Sequence, residues 1–504
     1  MLVNISRKGG FVDRRWPELV FSGDTARAVL SRAVDRGTLR RLARGIYTAA
    51  VKDDPSEVVR RNLLRVVGHE LPGAVIVDRS ARRAGPVDGL LVVDHPRTRP
   101  LELPGVTVMP RRGPGHVDGD MEMPEGLWIA SVPRQLLDNL DRARGSARRT
   151  LTDAELEDWV DTLVRERGEG GINRLRDQAR ALGPVLGRGA EFERLDRVIS
   201  AALTTGDVGD VRSERLRARA AGLPFDDKRV ASFEALAADL SSRAPDILPA
   251  MEIDEPRRRL LPFYEAYFSN YIEGTEFTLD EAASIVFDAA VPTERPADAH
   301  DILGTYEIVS DRSEMSRTAQ SGEEFEELLL SRHATLMGGR PDKLPGRFKE
   351  RANRAGATEF VAPELVSGTL RRGFEVGQRV VAPFARAVYM MFLTAEVHPF
   401  TDGNGRVARV MMNVELVAAS EVRIIIPTVY RNNYLAALRG ATHGGHYAGL
   451  YAMLDFARRW TAQVDFSSRN SAEADLVRTN ALRDPTEAED AGIRLLLPAA
   501  MPHL

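Results

Sequence analysis

The chemistry-bearing residues of this chain crowd into one short run: His398, Asp402, Gly403, Asn404, Gly405, Arg406 and Arg409. An imidazole of pKa near ~6.5 can take a proton from an attacking hydroxyl, which makes His398 a candidate base. A single carboxylate such as Asp402 suits Mg²⁺ whose other positions are filled by phosphate oxygens and water. Arg406 and Arg409 stand one helical turn apart, and guanidinium forks grip phosphate oxygens in pairs. Gly403 and Gly405 let backbone approach an anion without a Cβ in the way. Asn404 can bond to phosphate or to the loop itself. Such a set could hold a nucleoside triphosphate and move part of it to a hydroxyl.

These side chains need a helix end and a helix start to place them. Phe384, Val388, Tyr389, Met390, Met391, Phe392, Leu393 and Val397 make the stretch from Pro383 to Val397 a largely buried helix. Pro399 cannot sit in a helix interior and ends it. Asp402-Gly403-Asn404-Gly405 is turn composition, and helical spacing resumes with Val407, Val410, Met411 and Val414. The loop therefore leads into a helix N-terminus, whose free N–H groups favour phosphate.

The run His398-Pro399-Phe400-Thr401-Asp402-Gly403-Asn404-Gly405-Arg406-Val407-Ala408-Arg409 resembles the Fic family signature H-P-F-x-D-G-N-G-R-x-x-R at every specified position. The resemblance implies a mainly helical fold with a β-hairpin flap, and transfer of AMP from ATP to a Ser, Thr or Tyr hydroxyl of a target protein. It implies His398 as base and Asp402 as Mg²⁺ ligand. Gly403, Asn404 and Gly405 would line the anion hole, with Asn404 counted among the catalytic residues. Arg406 and Arg409 would hold the β- and γ-phosphates. Family members with Lys at the place of Gly405 can act as kinases, so Gly405 favours nucleotidyl transfer.

A second motif lies upstream. Ser269-Asn270-Tyr271-Ile272-Glu273-Gly274 resembles the family's inhibitory pattern [S/T]-x-x-x-E-[G/N]. Ser269 and Glu273 are four apart and share one helix face, and Gly274 suits a C-terminal cap. The resemblance implies that Glu273 pairs with Arg409 and occupies the γ-phosphate position. A carboxylate can compete there with phosphate for the same guanidinium. Because the motif precedes the signature in one chain, inhibition is expected to be intramolecular.

Other stretches fit the same domain. Pro345 to Lys349 through Thr358 to Pro363 is similar to the family's flap, a hairpin that aligns a target peptide by strand addition. Glu323 to Met337 reads as the helix before it. After Ile424-Ile425-Ile426-Pro427 a helix is expected over Tyr430 to Leu438. Tyr434 is a candidate adenine contact within it, with core packing as the other reading.

The 504 residues suit two or three domains, the 43 % hydrophobic content allows proper cores, and the net charge of -4 gives no general pull toward nucleic acid. Zero cysteines exclude a disulfide scaffold and cysteine-held metals. No apolar run approaches ~20 residues and no signal-peptide pattern opens the chain, so a cytoplasmic protein away from membranes is expected. Arg in excess of Lys, with abundant Ala, hints at a bacterial genome of high GC content.

Residues 1–50 hold ten Lys/Arg against four Asp/Glu. A helix followed by a glycine turn and the Arg44-Gly45-Ile46-Tyr47 strand is expected to form a winged helix-turn-helix. Arg40, Arg41 and Arg44 are its candidate DNA contacts. This region resembles AbiEi-type antitoxins of bacterial abortive-infection systems, which carry a winged helix and a mixed α/β domain. Strands over 74–77, 89–93 and 105–109, with Arg79-Ser80-Ala81 and Ser131 to Arg134, fit that resemblance. The expected organisation is a winged-helix-like segment (1–55), an α/β domain (56–149) and a helical connector (150–230). A Fic domain with its inhibitory helix (231–464) and a loosely held C-terminal tail (465–504) follow.

The best-supported reading is an autoinhibited, Mg²⁺- and ATP-dependent protein adenylyltransferase. Its alternatives are a DNA-binding, antitoxin-like regulator whose Fic domain senses nucleotide, and a de-AMPylase in which Glu273 orients water. The target protein is not legible, and a homodimer stays open.

Overall fold

The computed structural model describes residues 16–498 apart from 24, 143–147, 208, 245 and 252–254. Its packing divides the chain into two compact units, 1–220 and 221–504.

The first unit opens with β1 (Leu19–Phe21), α1 (Arg27–Asp35), β2 (Arg40–Ala43) and β3 (Ile46–Thr48), the strands forming an antiparallel sheet in the order β1-β3-β2. Val20, Leu30, Ala33 and Leu39 fill a small core between helix and sheet. The described residues hold one helix ahead of the β2–β3 hairpin, because residues 19–21 are strand. The two-helix unit expected for a helix-turn-helix is therefore not among them. Residues 1–15 of that expected segment, with four of its eleven basic residues, lie outside the described residues.

Next come α2 (Pro55–Arg61), α3 (Leu63–Glu70), β4 (Val75–Ile76), α4 (Asp78–Arg83), β5 (Leu90–Asp94) and β6 (Leu101–Leu103). They continue into β7 (Val106–Arg111), β8 (Met121–Met123), β9 (Leu127–Ile129) and α5 (Val132–Asn139). The six strands make a mixed sheet in the order β6-β7-β5-β4-β9-β8, with β5–β7 and β4–β9 parallel. Leu91, Val92 and Val93 are all buried, which is why β5 reads as a continuous apolar run rather than an alternating one. The Ser80 and Arg134 positions turn out to be internal. Ser80 Oγ accepts from the Val92 N–H at 2.9 Å. Fully buried Arg134 is paired with Asp94 at 2.7 Å and Asp120 at 2.5 Å.

Helices α6 (Asp153–Leu186), α7 (Gly189–Ala202) and α8 (Glu214–Ala220) complete this unit. They share a core with α5 through Leu136, Leu156, Leu195 and Leu216, so the stretch expected as a separate connector packs with what precedes it. Helix α6 kinks at Gly168 (φ 64, ψ 177) and ends where Gly187 adopts the left-handed conformation.

Among the described residues, the strands of the second unit are those of the hairpin, β10 (Arg354–Ala355) and β11 (Thr358–Glu359), and its other main elements are helices. Helices α9 (Asp227–Ser241), α10 (Glu255–Ile272), α11 (Leu279–Asp288), α12 (Pro296–Ser310), α13 (Arg312–Met315) and α14 (Gly322–Leu336) precede the hairpin. After it come α15 (Val366–Gly377), α16 (Pro383–Val397) and α17 (Asn404–Ala418). The last elements are α18 (Arg431–Gly444), α19 (Tyr447–Gln463), α20 (Arg469–Arg478) and α21 (Pro485–Asp490). Helix α16 is buried almost throughout, and with α17 it forms the centre of the core. Such a rigid pair is a firm base for the loop that joins it.

The loose tail expected from residue 465 is not what forms. Phe466, Leu476, Ala481 and Leu495 are buried in one cluster with Trp460 and Phe268. The polar residues that suggest a tail act as caps: Ser468 accepts from the Ser471 N–H, and Asp484 from Thr486 and Glu487. Residues 499–504 lie outside the described residues. Among the described residues no helix is long and apolar enough to cross a membrane.

Candidate active site

The signature loop starts where α16 stops. His398 leaves the helix in the left-handed conformation (φ 52, ψ 58), which costs a non-glycine residue energy and must be held by its surroundings. The holding groups come from the segment leading into the hairpin. Lys349 Nζ donates to the His398 carbonyl at 2.8 Å, and its backbone N–H donates to Pro399 O at 2.9 Å. Asn353 Nδ2 donates to Phe400 O at 3.0 Å. Burial pulls the Lys349 ammonium down to about 8.

The His398 ring stacks on Phe360, with centroids 3.7 Å apart. Its Nδ1 lies 3.3 Å from Ala395 O, a distance that assigns the proton to Nδ1 and leaves the Nε2 lone pair open. Burial lowers the imidazole to about 4, so the ring is neutral and able to accept a proton at neutral pH.

Asp402 is 44 % exposed at its side chain, and its Oδ1 accepts from the Gly403 N–H at 2.7 Å. Gly403 takes a left-handed conformation (φ 75), and a Cβ there would press on Met337 Sδ at 2.8 Å. It caps α17 without a side-chain hydrogen bond, so the first N–H groups of that helix are left to an external acceptor. Asn404 does not face that space. It is 2 % exposed, its Oδ1 accepts from Phe400 N–H at 2.8 Å, and its Nδ2 donates to Phe400 O at 2.9 Å. Each end of the amide makes one bond that closes the loop.

Both arginines reach α10. Arg409 Nη2 donates to Glu273 Oε1 at 2.8 Å and to the Ser269 carbonyl at 2.7 Å, and its Nε donates to Ser269 Oγ at 3.0 Å. Gly274 follows with φ 90, the left-handed turn that lets Glu273 end the helix facing the loop. Gly405 has a second reason to be glycine, because a Cβ there would collide with Glu273 Oε1. Arg406 is 3 % exposed and pairs with Asp301 at 2.6 Å.

Tyr434 sits next to Arg409 and Glu273. It is 2 % exposed, and its hydroxyl points at Met391 Sδ at 3.5 Å. Its ring is packed in the core of the second unit. Arg40, Arg41 and Arg44 lie in the first unit on the β2–β3 hairpin. Arg40 Nη1 donates to Asp53 O at 3.0 Å, Arg41 Nε donates to Ala43 O at 3.2 Å, and Arg44 is exposed in the turn.

Sequence reasoning missed His333, Lys349, Asn353, Phe360 and Asp301 as site residues. His333 stacks on Phe400 at 3.7 Å, and its Nε2 lies 3.1 Å from Asp402 O. Its Nδ1 accepts from the Gly346 N–H at 3.0 Å, which ties the loop to the start of the flap segment. Burial lowers this ring to about 4. A histidine inside an apolar helix is its only trace in the sequence.

Residues 324–416, which hold α14, the hairpin and the signature loop, match the model of the Fic/DOC family. This segment is a Fic domain. The chain is 28 % identical over 190 residues to "Protein adenylyltransferase Fic" of Nematostella vectensis, covering 36 % of this chain and 44 % of that one. It is 25 % identical over 187 residues to "Protein adenylyltransferase fic-1" of Caenorhabditis elegans, covering 36 % and 37 %. The chain thus spans less than half the length of these relatives. Among solved structures, a Fic domain containing signaling protein of Bacteroides thetaiotaomicron aligns at 17 % identity and TM-score 0.35. That alignment covers 49 % of this chain and 97 % of the other. Fic-1 of C. elegans aligns at 19 % identity and TM-score 0.34, covering 65 % and 99 %.

Proposed function

We propose that the chain is an autoinhibited protein adenylyltransferase. The observation that carries this reading is the 2.8 Å bond from Arg409, on the helix that leaves the signature loop, to Glu273, with His398 at the loop's entrance. In the proposed reaction a Ser, Thr or Tyr hydroxyl of a target protein attacks the α-phosphorus of ATP. A new phosphorus–oxygen bond forms, the bond to the β-phosphate oxygen breaks, and pyrophosphate leaves. The hydroxyl proton passes to His398 Nε2.

The N–H groups at the start of α17 donate to phosphate oxygens, and Gly403 and Gly405 keep that approach open. Arg406 and Arg409 bind the β- and γ-phosphates once Glu273 has moved off. Phe360 fixes the plane of the imidazole, and Lys349 fixes the backbone behind it.

Mg²⁺ fits the donor set. The described residues hold no cluster of three or more acidic or histidine groups able to bind a metal by themselves. Asp402 instead offers one half-exposed carboxylate oriented by Gly403, as suits an ion completed by phosphate and water. Such an ion, when bound, would neutralise charge on the phosphates.

The test is transfer to protein from ATP labelled on the α- or the γ-phosphate. The proposal expects α-label in protein and none from γ. Label arriving from the γ-phosphate would make the chain a kinase instead.

Arg41 and Arg44, both exposed on one hairpin, support a second reading of the first unit as a DNA-binding module. Salt-dependent binding to duplex DNA, weakened by Arg41→Ala and Arg44→Ala, tests it.

A further inference from the structure

Arg406 is held differently from Arg409. Its Nη1 lies 2.6 Å from Asp301 Oδ2 and donates to Asn270 Oδ1 at 3.3 Å. Its Nη2 faces the other way, 3.4 Å from Met337 Sδ and 3.9 Å from Asp402 Oδ1. Its Nε is buried without an acceptor among the described residues. One edge of the guanidinium is thus fixed by protein. The other looks toward the signature carboxylate with donors to spare.

Asp301, on α12, is 1 % exposed. It also binds Arg340, whose Nε donates to Oδ1 at 3.0 Å and to Oδ2 at 2.9 Å. Arg340 reaches Asp298 as well, at 2.7 Å. Thr305 Oγ1 donates to the Asp301 carbonyl at 2.7 Å and accepts from Asn270 Nδ2 at 3.0 Å. A carboxylate shared by two guanidiniums has its lone pairs satisfied, the condition under which a buried charge is tolerated.

We infer that Asp301 is the positioning residue for Arg406, holding its guanidinium so that Nη2 meets the nucleotide polyphosphate at the signature loop. The inference rests on the adenylyltransferase reading and adds a residue to it. An arginine side chain free to rotate loses that freedom on binding phosphate, and a fixed one does not. The contrast with Glu273 separates positioning from inhibition. Glu273 is 30 % exposed at the end of its helix and can swing away. Asp301 is enclosed in mid-helix between two cations and stays. An inhibitory carboxylate would strengthen nucleotide binding when removed, whereas a positioning one weakens it.

The experiment is calorimetric titration of the Glu273→Gly protein with Mg-ATP and with AMP, alone and carrying Asp301→Asn or Asp301→Glu. Asp301→Asn is expected to weaken Mg-ATP about tenfold and to leave AMP within about twofold, since AMP lacks the β- and γ-phosphates. In transfer assays the KM for ATP should rise while kcat changes less. Asp301→Glu, which restores the carboxylate and guards against a variant that does not fold, should bind Mg-ATP more tightly than Asp301→Asn. Unchanged or tighter Mg-ATP binding in Asp301→Asn overturns the inference. So does an equal loss for ATP and AMP, or an Asp301→Glu protein no better than the amide. Absence of Mg-ATP binding in the Glu273→Gly reference would overturn the adenylyltransferase reading itself, and this inference with it.

Discussion

Arg409 and Glu273 are joined by one charge-assisted hydrogen bond of 2.8 Å, and Ser269 of the same helix takes two more donors of that guanidinium. Three of the bonds made by this guanidinium therefore go to Ser269 and Glu273, at and just past the end of α10. Removing the carboxylate, as in Glu273→Gly, leaves Arg409 tied to Ser269 but no longer neutralised. Protein labelling by α-labelled ATP should rise about tenfold or more, the worth of one charge-assisted bond. Equal labelling in wild type and variant would remove the inhibitory reading.

Ser269→Ala should release the site less. It deletes the Oγ acceptor at 3.0 Å but keeps the carbonyl acceptor at 2.7 Å and Glu273 itself. A rise of about two- to fivefold is expected, given the ~0.5–1.5 kcal/mol of an ordinary hydrogen bond. Labelling that matches Glu273→Gly would mean that Ser269, rather than the carboxylate, is the main restraint.

Asp402 and Asn404 should separate in stability. Asn404→Ala strips a buried loop of two hydrogen bonds and should cost about 1–3 kcal/mol, read as a lowered Tm. Asp402→Ala touches a half-exposed side chain, so Tm should barely move while Mg²⁺-dependent transfer falls. Transfer that persists in EDTA would contradict the role proposed for Asp402.

Acid should destabilise the fold through its buried rings. Burial lowers His333 and His398 to about 4 from the usual 6.5, so between those values the unfolded chain binds more protons. Their contribution is complete above about 6.5 and is lost as pH falls toward 4. Tm should decline across that window, and more shallowly in His333→Gln, which has one such ring fewer. Parallel slopes would contradict the burial argument for His333.

Legibility followed sequence distance. The signature and the inhibitory hexapeptide could be read because their residues are consecutive or lie one or two helical turns apart. Chain spacing alone then sets their relative placement. Asp301, His333 and Lys349 act across 105, 69 and 49 residues, and nothing local marks them. Asn404 shows a related limit, since the two bonds it makes to Phe400 within its own loop have no mark in the sequence. Polar residues after 465 look like a tail until their capping bonds are seen. In the first unit the glycine-turn hairpin was legible, whereas β1, which pairs with β3, was not.

The central claim is that one chain contains both a His398-dependent transferase and the Glu273 that restrains it. Intact mass after incubation with Mg-ATP tests this most directly, comparing wild type, Glu273→Gly, and Glu273→Gly with His398→Ala. The account predicts an increase of one AMP unit in Glu273→Gly that is absent from the double variant and weak in wild type. An adduct that appears equally in all three, or that survives the loss of His398, would contradict it.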